Sequence, residues 1–135
     1  MSATQDLWPE ITPEEITPPV AILREQASKL GPKTNNLVEA TVYSITAPTG
    51  DRKHAMFLEA PSLDYRYELF SITHGIEQYP LEIQPNIPMQ AHQIQDEDEF
   101  LAALKQIFSH PKTLHIINVL LSEIQSETEK TPRMS

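Results

Sequence analysis

Histidine and carboxylate side chains are the groups in this sequence that could bind a metal or transfer protons, and the spacing of the histidines does not favour a metal site. Five histidines are present, but no two lie four residues apart, the separation that places two zinc ligands on one face of a helix. His110 and His115 flank Pro111, where a helix is predicted to begin, and are typical of surface positions. The chain has no cysteine, which excludes thiolate ligands, thiol nucleophiles and disulfide bonds. We therefore predict that the protein binds no metal ion.

Motifs for cofactor binding and for nucleophilic catalysis are also absent from the sequence. Its three glycines do not form G-x-G-x-x-G, and neither G-x-x-x-x-G-K-S/T nor G-x-S-x-G occurs. Glu39, Glu59 and Glu68 alternate along predicted strands, as carboxylates do on a solvated sheet face. We predict that the protein is not an enzyme and uses no cofactor. The alternative is a small enzyme whose carboxylate or histidine chemistry, for example at His74, is assembled only in the fold.

The charge balance argues against two classes of partner. The chain carries 19 acidic and 10 basic residues, a formal net charge of −9, and Arg52-Lys53 is its only adjacent basic pair. Such a charge repels nucleic-acid phosphates and anionic lipid. No stretch approaches the roughly 18 unbroken apolar residues of a membrane helix. Residues 1–19 contain no Lys or Arg, unlike a secretion signal. We predict no nucleic-acid partner, no membrane association and a cytoplasmic location.

Proline and charge divide the chain into three parts. Residues 1–17 contain four acidic residues, no basic residue and two prolines and are followed by Pro18-Pro19, which predicts an extended acidic arm rather than a continuous helix. Residues 18–125 are predicted to form a single α+β domain. Residues 126–135 are predicted to be a flexible tail.

Apolar periodicity predicts the elements of this domain. A helix is predicted to begin at Pro18-Pro19 and to end at Gly31-Pro32. Alternating residues and turn motifs predict three or four strands, which begin near Asn36, His54, Tyr65 and Tyr79. Asp96 and Glu99 fit a helix capping box, and Pro111 opens the last helix. The fold class predicted is α+β, with a three- to four-stranded antiparallel sheet and an N-terminal helix and two C-terminal helices packed mainly on one face.

Strand register can be predicted from the polarity of cross-strand pairs. Placing Val42 opposite Leu58 and Ala60 opposite Tyr65 collects apolar side chains on an inner face. The outer face would then carry five large apolar residues towards one end: Tyr43, Ile45, Phe57, Phe70 and Ile72. A patch of this kind requires a cover. Three covers are possible: the last helix, a second copy of the chain, or a different protein.

Trp8 is the single tryptophan of the chain and lies in the acidic arm. With Leu7, Ile11 and Ile16 it could form a short linear binding motif, fold back on the domain, or contact a second copy in a homodimer.

We predict a non-catalytic bacterial protein–protein interaction module, adaptor or chaperone-like, that binds through an apolar sheet face, the arm or both. Its predicted partner-binding residues are Tyr43, Ile45, Phe57, Phe70, Ile72 and Trp8. The alternative is an acidic immunity or inhibitor protein that covers a basic surface of a toxin or nucleic-acid-binding protein.

Overall fold

In the part of the chain that the structure describes, the fold is α+β with one antiparallel sheet, as the sequence predicts, and the sheet has five strands rather than three or four. A computed structural model describes residues 5–130. The strands pair in chain order: β1 (Glu39–Thr46), β2 (Arg52–Ala60), β3 (Tyr65–His74), β4 (Leu81–Pro85) and β5 (His92–Ile94). The helices are α1 (Pro19–Ala27), α2 (Leu30–Lys33), α3 (Glu97–Phe108) and α4 (Pro111–Lys130). The buried sides of α1, α3 and α4 share one apolar core with the inner face of the sheet.

The first helical segment is divided into two helices. Pro19 stands in the first turn of α1, where its missing N–H would have no partner in any case. The helix buries Ile22 and Leu23 and ends at Ala27, earlier than predicted. The predicted stop at Gly31-Pro32 lies inside α2. Proline is tolerated there because it again falls in a first turn.

The hairpin of β1 and β2 differs from the predicted register by two residues. Val42 pairs with Met56, and Ala40 pairs with Leu58, so the predicted pairing of Val42 with Leu58 is wrong. Side chains alternate with a period of two, so this shift leaves each of them on the predicted face.

The start of the β2–β3 hairpin follows the prediction, and a β-bulge then changes the faces. Glu59 pairs with Arg66 as predicted. Further along, Phe57 pairs with Glu68 but Met56 pairs with Phe70, which leaves Leu69 as an extra residue. The predicted outward position of Phe70 and Ile72 is therefore wrong, because the bulge turns both inward and they are 0% exposed.

The C-terminal helices begin as predicted, but α4 is longer. The Glu99 amide donates to Asp96 Oδ1 at 2.9 Å, and Glu99 Oε1 accepts from the Gln95 amide at 2.9 Å, which confirms a capping box whose return bond goes one residue upstream. Helix α4 continues to Lys130, into the segment predicted to be a flexible tail. Residues 131–135 of that tail and residues 1–4 of the arm lie outside the described residues.

Candidate functional site

The outer face of the sheet carries a cluster of aromatic and charged side chains from three strands. This outer-face cluster consists of Thr41 and Tyr43 on β1, Phe57 and Glu59 on β2, and Arg66 on β3. The rings of Tyr43 and Phe57 meet edge to face, with centroids 5.3 Å apart. The guanidinium carbon of Arg66 lies 4.9 Å from the Tyr43 centroid and 5.0 Å from the Phe57 centroid. Arg66 therefore makes cation–π contacts with both rings.

Glu59 completes the cluster by accepting hydrogen bonds from both β1 side chains. Its carboxylate accepts from the Thr41 hydroxyl at 2.7 Å and from the Tyr43 hydroxyl at 2.8 Å. The same carboxylate lies 3.8 Å from Arg66 Nη1. Within the cluster, the two opposite charges therefore lie next to each other, and both hydroxyl groups donate hydrogen bonds to the carboxylate. Arg66 and Glu59 therefore cover part of Tyr43 and Phe57, while Tyr43 remains 42% exposed. This partial cover comes from the sheet itself and is none of the three covers predicted from the sequence.

The cross-strand pairing predicted from the sequence indicates the face on which Arg66 lies. Tyr65 and Tyr67 flank Arg66 in the sequence, but side chains of adjacent strand residues point to opposite faces. Arg66 instead meets aromatic residues of the two neighbouring strands. Its predicted pairing with Glu59 placed it on the correct face.

A second polar arrangement lies on the inner face, where Ser44, His54 and His74 form a chain of hydrogen bonds. Ser44 Oγ is 2.7 Å from His54 Nδ1, and His54 Nε2 is 3.2 Å from His74 Nε2. His74 Nδ1 is 2.7 Å from the Gly75 carbonyl oxygen and must donate to it. His74 Nε2 is then an acceptor in the neutral ring, so His54 Nε2 donates and the Ser44 hydroxyl donates to His54 Nδ1. All four imidazole nitrogens have partners.

The serine–histidine contact resembles a nucleophile and its base, but the base is poorly matched to that role. His54 is 1% exposed. Burial, followed by the nearby charges of His74, Arg52 and Arg24, lowers the pKa of His54 to about 4. A general base works best with a pKa near the working pH. The chain of hydrogen bonds therefore supports a structural role for His54 better than proton abstraction from Ser44 at neutral pH.

Two adjoining cavities lie between the α1–α2 segment and the α3–α4 hairpin, with volumes of about 310 and 540 Å³. They share Gln26, Phe108 and Leu114, and we refer to them together as the lysine-rimmed groove. The lining is mainly apolar, and its charged members are Lys29, Lys33 and Lys105. No carboxylate lines either cavity. This groove is a local basic region on a chain with a net charge of −9.

A third cavity, of about 620 Å³, lies between α4 and the start of β3. Tyr65 and Val119 contribute to its apolar lining, and Lys112 and Glu123 contribute opposite charges. His115 also lines it, although the sequence suggested an ordinary surface position for this residue. The mixed charges give this cavity no preference for a ligand of either sign.

The N-terminal arm exposes large apolar side chains. Residues 5–18 contain no helix or strand. The exposed fraction is 85% for Leu7, 79% for Trp8, 71% for Ile11 and 58% for Ile16. The sequence Glu-Ile-Thr-Pro occurs at 10–13 and again at 15–18, a repeat with a period of five residues.

The structure does not bring the six predicted partner-binding residues into one site. Tyr43 and Phe57 belong to the outer-face cluster, and Ile45 is 64% exposed on the same face. Phe70 and Ile72 lie in the core on the opposite face, and Trp8 lies in the arm.

Within the described part of the chain, no group of three or more His, Asp or Glu side chains is placed to hold a metal ion. Among the helices of residues 5–130, none is long and apolar enough to cross a membrane. Comparison of the chain with protein-family models, with curated proteins and with solved structures gave no match.

Proposed function

We propose that this chain is a non-catalytic protein-interaction module, adaptor or chaperone-like, and that the N-terminal arm is its binding segment. The observation that carries the proposal is the exposure of Leu7, Trp8 and Ile11, each more than two-thirds exposed. Burying one such side chain contributes about 1.5–3 kcal/mol. A homodimeric state, a cytoplasmic location and a bacterial source belong to the same proposal.

The conformational cost of ordering the arm on a partner is lowered by its prolines. Fixing a backbone residue costs about 1–2 kcal/mol, which makes most flexible segments weak ligands. Pro9 and Pro13 already have restricted φ angles before binding, and Pro18-Pro19 fix the junction of the arm with α1. Extended proline-rich segments bind apolar grooves for this reason.

The outer-face cluster supports this choice of the arm over the sheet. Tyr43 and Phe57 already contact Arg66, and Glu59 already accepts two hydrogen bonds. A partner on that face would have to displace these contacts. Among residues 5–17, the exposed side chains of Leu7, Trp8 and Ile11 have no such contacts to lose when they are buried.

Retention of a partner on the immobilised full-length protein tests the proposal. We expect the double variant Trp8→Ala, Ile11→Ala to lose a partner that the wild-type protein retains at both low and high salt. The matched control in the same segment is Thr12→Ala, Thr17→Ala, which should retain it. Equal retention by both variants contradicts the proposal. If both variants retain the partner at low salt and lose it at high salt, the result supports the alternative of an acidic immunity or inhibitor protein.

Proteolysis after glutamate gives a second measurement that does not require the partner's identity to be known. The arm has no Lys or Arg, so trypsin does not cut it, but Glu10, Glu14 and Glu15 offer sites for a glutamate-specific protease. We expect cleavage there to precede cleavage within 37–72 and to slow when the partner is bound. Early cleavage inside the sheet would contradict the assignment of the arm as an accessible segment.

A further inference from the structure

We propose that the lysine-rimmed groove binds the N-terminal arm of a second copy of this chain, so that two molecules exchange arms. This inference rests on the proposed function, because it assumes that the arm is the binding segment. It assigns an occupant to the groove and a partner to the arm.

Charge complementarity is the first argument. Residues 5–18 contain four acidic residues and no basic residue: Asp6, Glu10, Glu14 and Glu15. The groove lining has the opposite composition, with three lysines and no carboxylate. Lys29 Nζ already lies 3.8 Å from the carboxylate of Glu25, in an exposed pair on the same helical segment, so Lys33 and Lys105 carry this argument. These three lysines are drawn from only 10 basic residues in the chain. An acidic, apolar segment is therefore the ligand chemistry that this groove favours.

Apolar matching is the second argument. The groove reaches the inner face of the sheet at Met56 and Leu58, which are buried. Its walls also include exposed leucines, with Leu101 42% exposed on α3 and Leu114 48% exposed on α4. A bound arm would cover these leucines together with its own exposed side chains. The two isoleucines of the Glu-Ile-Thr-Pro repeat offer similar groups to the two adjoining cavities.

The geometry at the start of α1 favours a second copy over the chain's own arm. The groove lysines Lys29 and Lys33 lie beyond the C-terminal end of α1, in the linker and in α2, whereas the arm joins the N-terminal end. An arm that bound its own groove would have to reverse direction and run back along α1. Pro18 is extended, with φ −69° and ψ 153°, and it is followed by Pro19, so this junction resists a reversal. A symmetric exchange avoids the reversal and forms two identical contacts.

Fluorescence of the single tryptophan provides a direct test on the unlabelled full-length protein. Trp8 is 79% exposed in the isolated chain and would be buried in the groove of a partner. We expect a blue-shifted, quencher-protected emission at high protein concentration. Dilution should convert it to a red-shifted, quencher-accessible emission over the range in which sedimentation shows dimers dissociating. Raised salt should move this transition to a higher concentration without abolishing the dimer, because it screens the charges but not the apolar contacts.

Two pairs of variants identify the groove. Lys33→Glu should raise the dimer dissociation constant by about tenfold or more, since it acts at both contacts, whereas Lys53→Glu in the β1–β2 hairpin should not change it. Leu114→Asp should abolish the concentration-dependent shift. Its control is Val119→Asp, on the same helix and 42% exposed, which lines the third cavity instead. Circular dichroism of each variant verifies that the fold is retained.

Mixing two variants that cannot dimerise on their own distinguishes the exchange of arms from other modes of dimerisation. A variant with Ile11→Asp and Ile16→Asp keeps its groove, and Leu114→Asp keeps its arm. Mixed together, they should form heterodimers with one intact contact. Absence of heterodimers would overturn the exchange.

Three further outcomes would overturn the inference. They are a monomer with exposed Trp8 at every concentration, a monomer with buried Trp8 at every concentration, and a dimer that neither Lys33→Glu nor Leu114→Asp affects. If the wild-type protein is a monomer but the arm variants still lose a different partner, the proposed function stands and only the exchange fails. If arm variants change neither oligomeric state nor partner retention, both fail.

Discussion

The outer-face cluster and the N-terminal arm both place aromatic side chains at the surface, but only the cluster gives them partners within the chain. In the cluster, Arg66 lies about 5 Å from the centroids of two rings, and Glu59 accepts two hydrogen bonds. In the arm, Trp8 is 79% exposed, and a hydrogen bond from its backbone amide to Asp6 is local. The two regions therefore differ in the contacts available to similar residues.

This difference follows from backbone geometry. A strand residue has cross-strand neighbours at fixed distances of about 5 Å, so complementary side chains from three strands can meet. An extended arm has neighbours only along its own sequence, and prolines limit how those can approach one another. Exposed aromatic residues are therefore weak evidence for binding in this sheet and stronger evidence in the arm.

We expect the largest change in the free energy of unfolding from a substitution on the inner face of the β2–β3 hairpin, and a much smaller change from one on its outer face. Phe70→Ala should destabilise the fold by about 3–5 kcal/mol, because Phe70 is fully buried. Phe57→Ala should cost about 1 kcal/mol, since its ring is half-buried and on the outer face. Urea unfolding measures both. Equal losses would show that the two residues share a face and would contradict the bulge.

Acid should distinguish the sheet as a whole from the arm, because His54 lies on the inner face of the sheet and the arm has no histidine. The pKa of His54 is lowered from 6.5 to about 4, so the unfolded chain takes up this proton more readily than the folded chain. Stability should be complete above pH 6.5 and fall as the pH drops towards 4, by about 3 kcal/mol from this group. Urea unfolding across this range should show a smaller loss for His54→Phe than for the wild-type protein. His115→Ala should keep the wild-type loss, and an equal loss in all three would contradict the assignment.

The cluster itself should contribute less than the core. Glu59→Ala removes the acceptor of two hydroxyls and the ion-pair partner of Arg66, and we expect a loss of about 1–2 kcal/mol in the free energy of unfolding. Glu39→Ala is the matched control, because Glu39 pairs opposite Glu59 on the same face but is exposed. A similar small effect for both would mean that the cluster does not stabilise the sheet.

The arm should contribute least to stability. Trp8→Ala should leave the free energy of unfolding of the dissociated chain, at high dilution, within about 0.5 kcal/mol of the wild-type value, because the side chain buries little surface there. Calorimetry or urea unfolding measures this. A loss above about 1 kcal/mol would place Trp8 against the domain of its own chain.

Removal of divalent metals should have no effect on either region. The sequence offers no zinc spacing, and a structural metal would contribute its binding energy to folding. The melting temperature should be the same with and without a chelator. A large decrease on chelation would show that the prediction of no metal is wrong.

The sequence predicted those elements whose signals are local. Asp96 and Glu99 identified the start of α3 because a capping box involves only neighbouring residues. Pro19 and Pro111 likewise marked the starts of α1 and α4. The three-residue strand β5 was missed, because its sequence is too short to show an alternating pattern and only Ile94 is buried.

The sequence could not predict features that depend on how distant segments meet. The bulge interrupts the alternation of β3, and its one local signal is the adjacent pair Leu69-Phe70, both of which are buried. The lysine-rimmed groove combines residues from α1 through α4, so no spacing along the chain indicates it. Of the candidate site residues, Phe70 and Ile72 lie on the face opposite to the one that the sequence predicted.

The bulge makes β3 one residue longer than the ladder requires. Deletion of Leu69 would leave Glu68 opposite Phe57 and Phe70 opposite Met56, so every later side chain of the strand would keep its face. Deletion at a regular position of β2 would instead move the remaining side chains to the opposite face. A gene encoding this chain could therefore lose one codon in β3 at the cost of one buried leucine and of the hydrogen bond that the Leu69 carbonyl accepts from the Asn86 amide, whereas the same loss in β2 would invert half a strand.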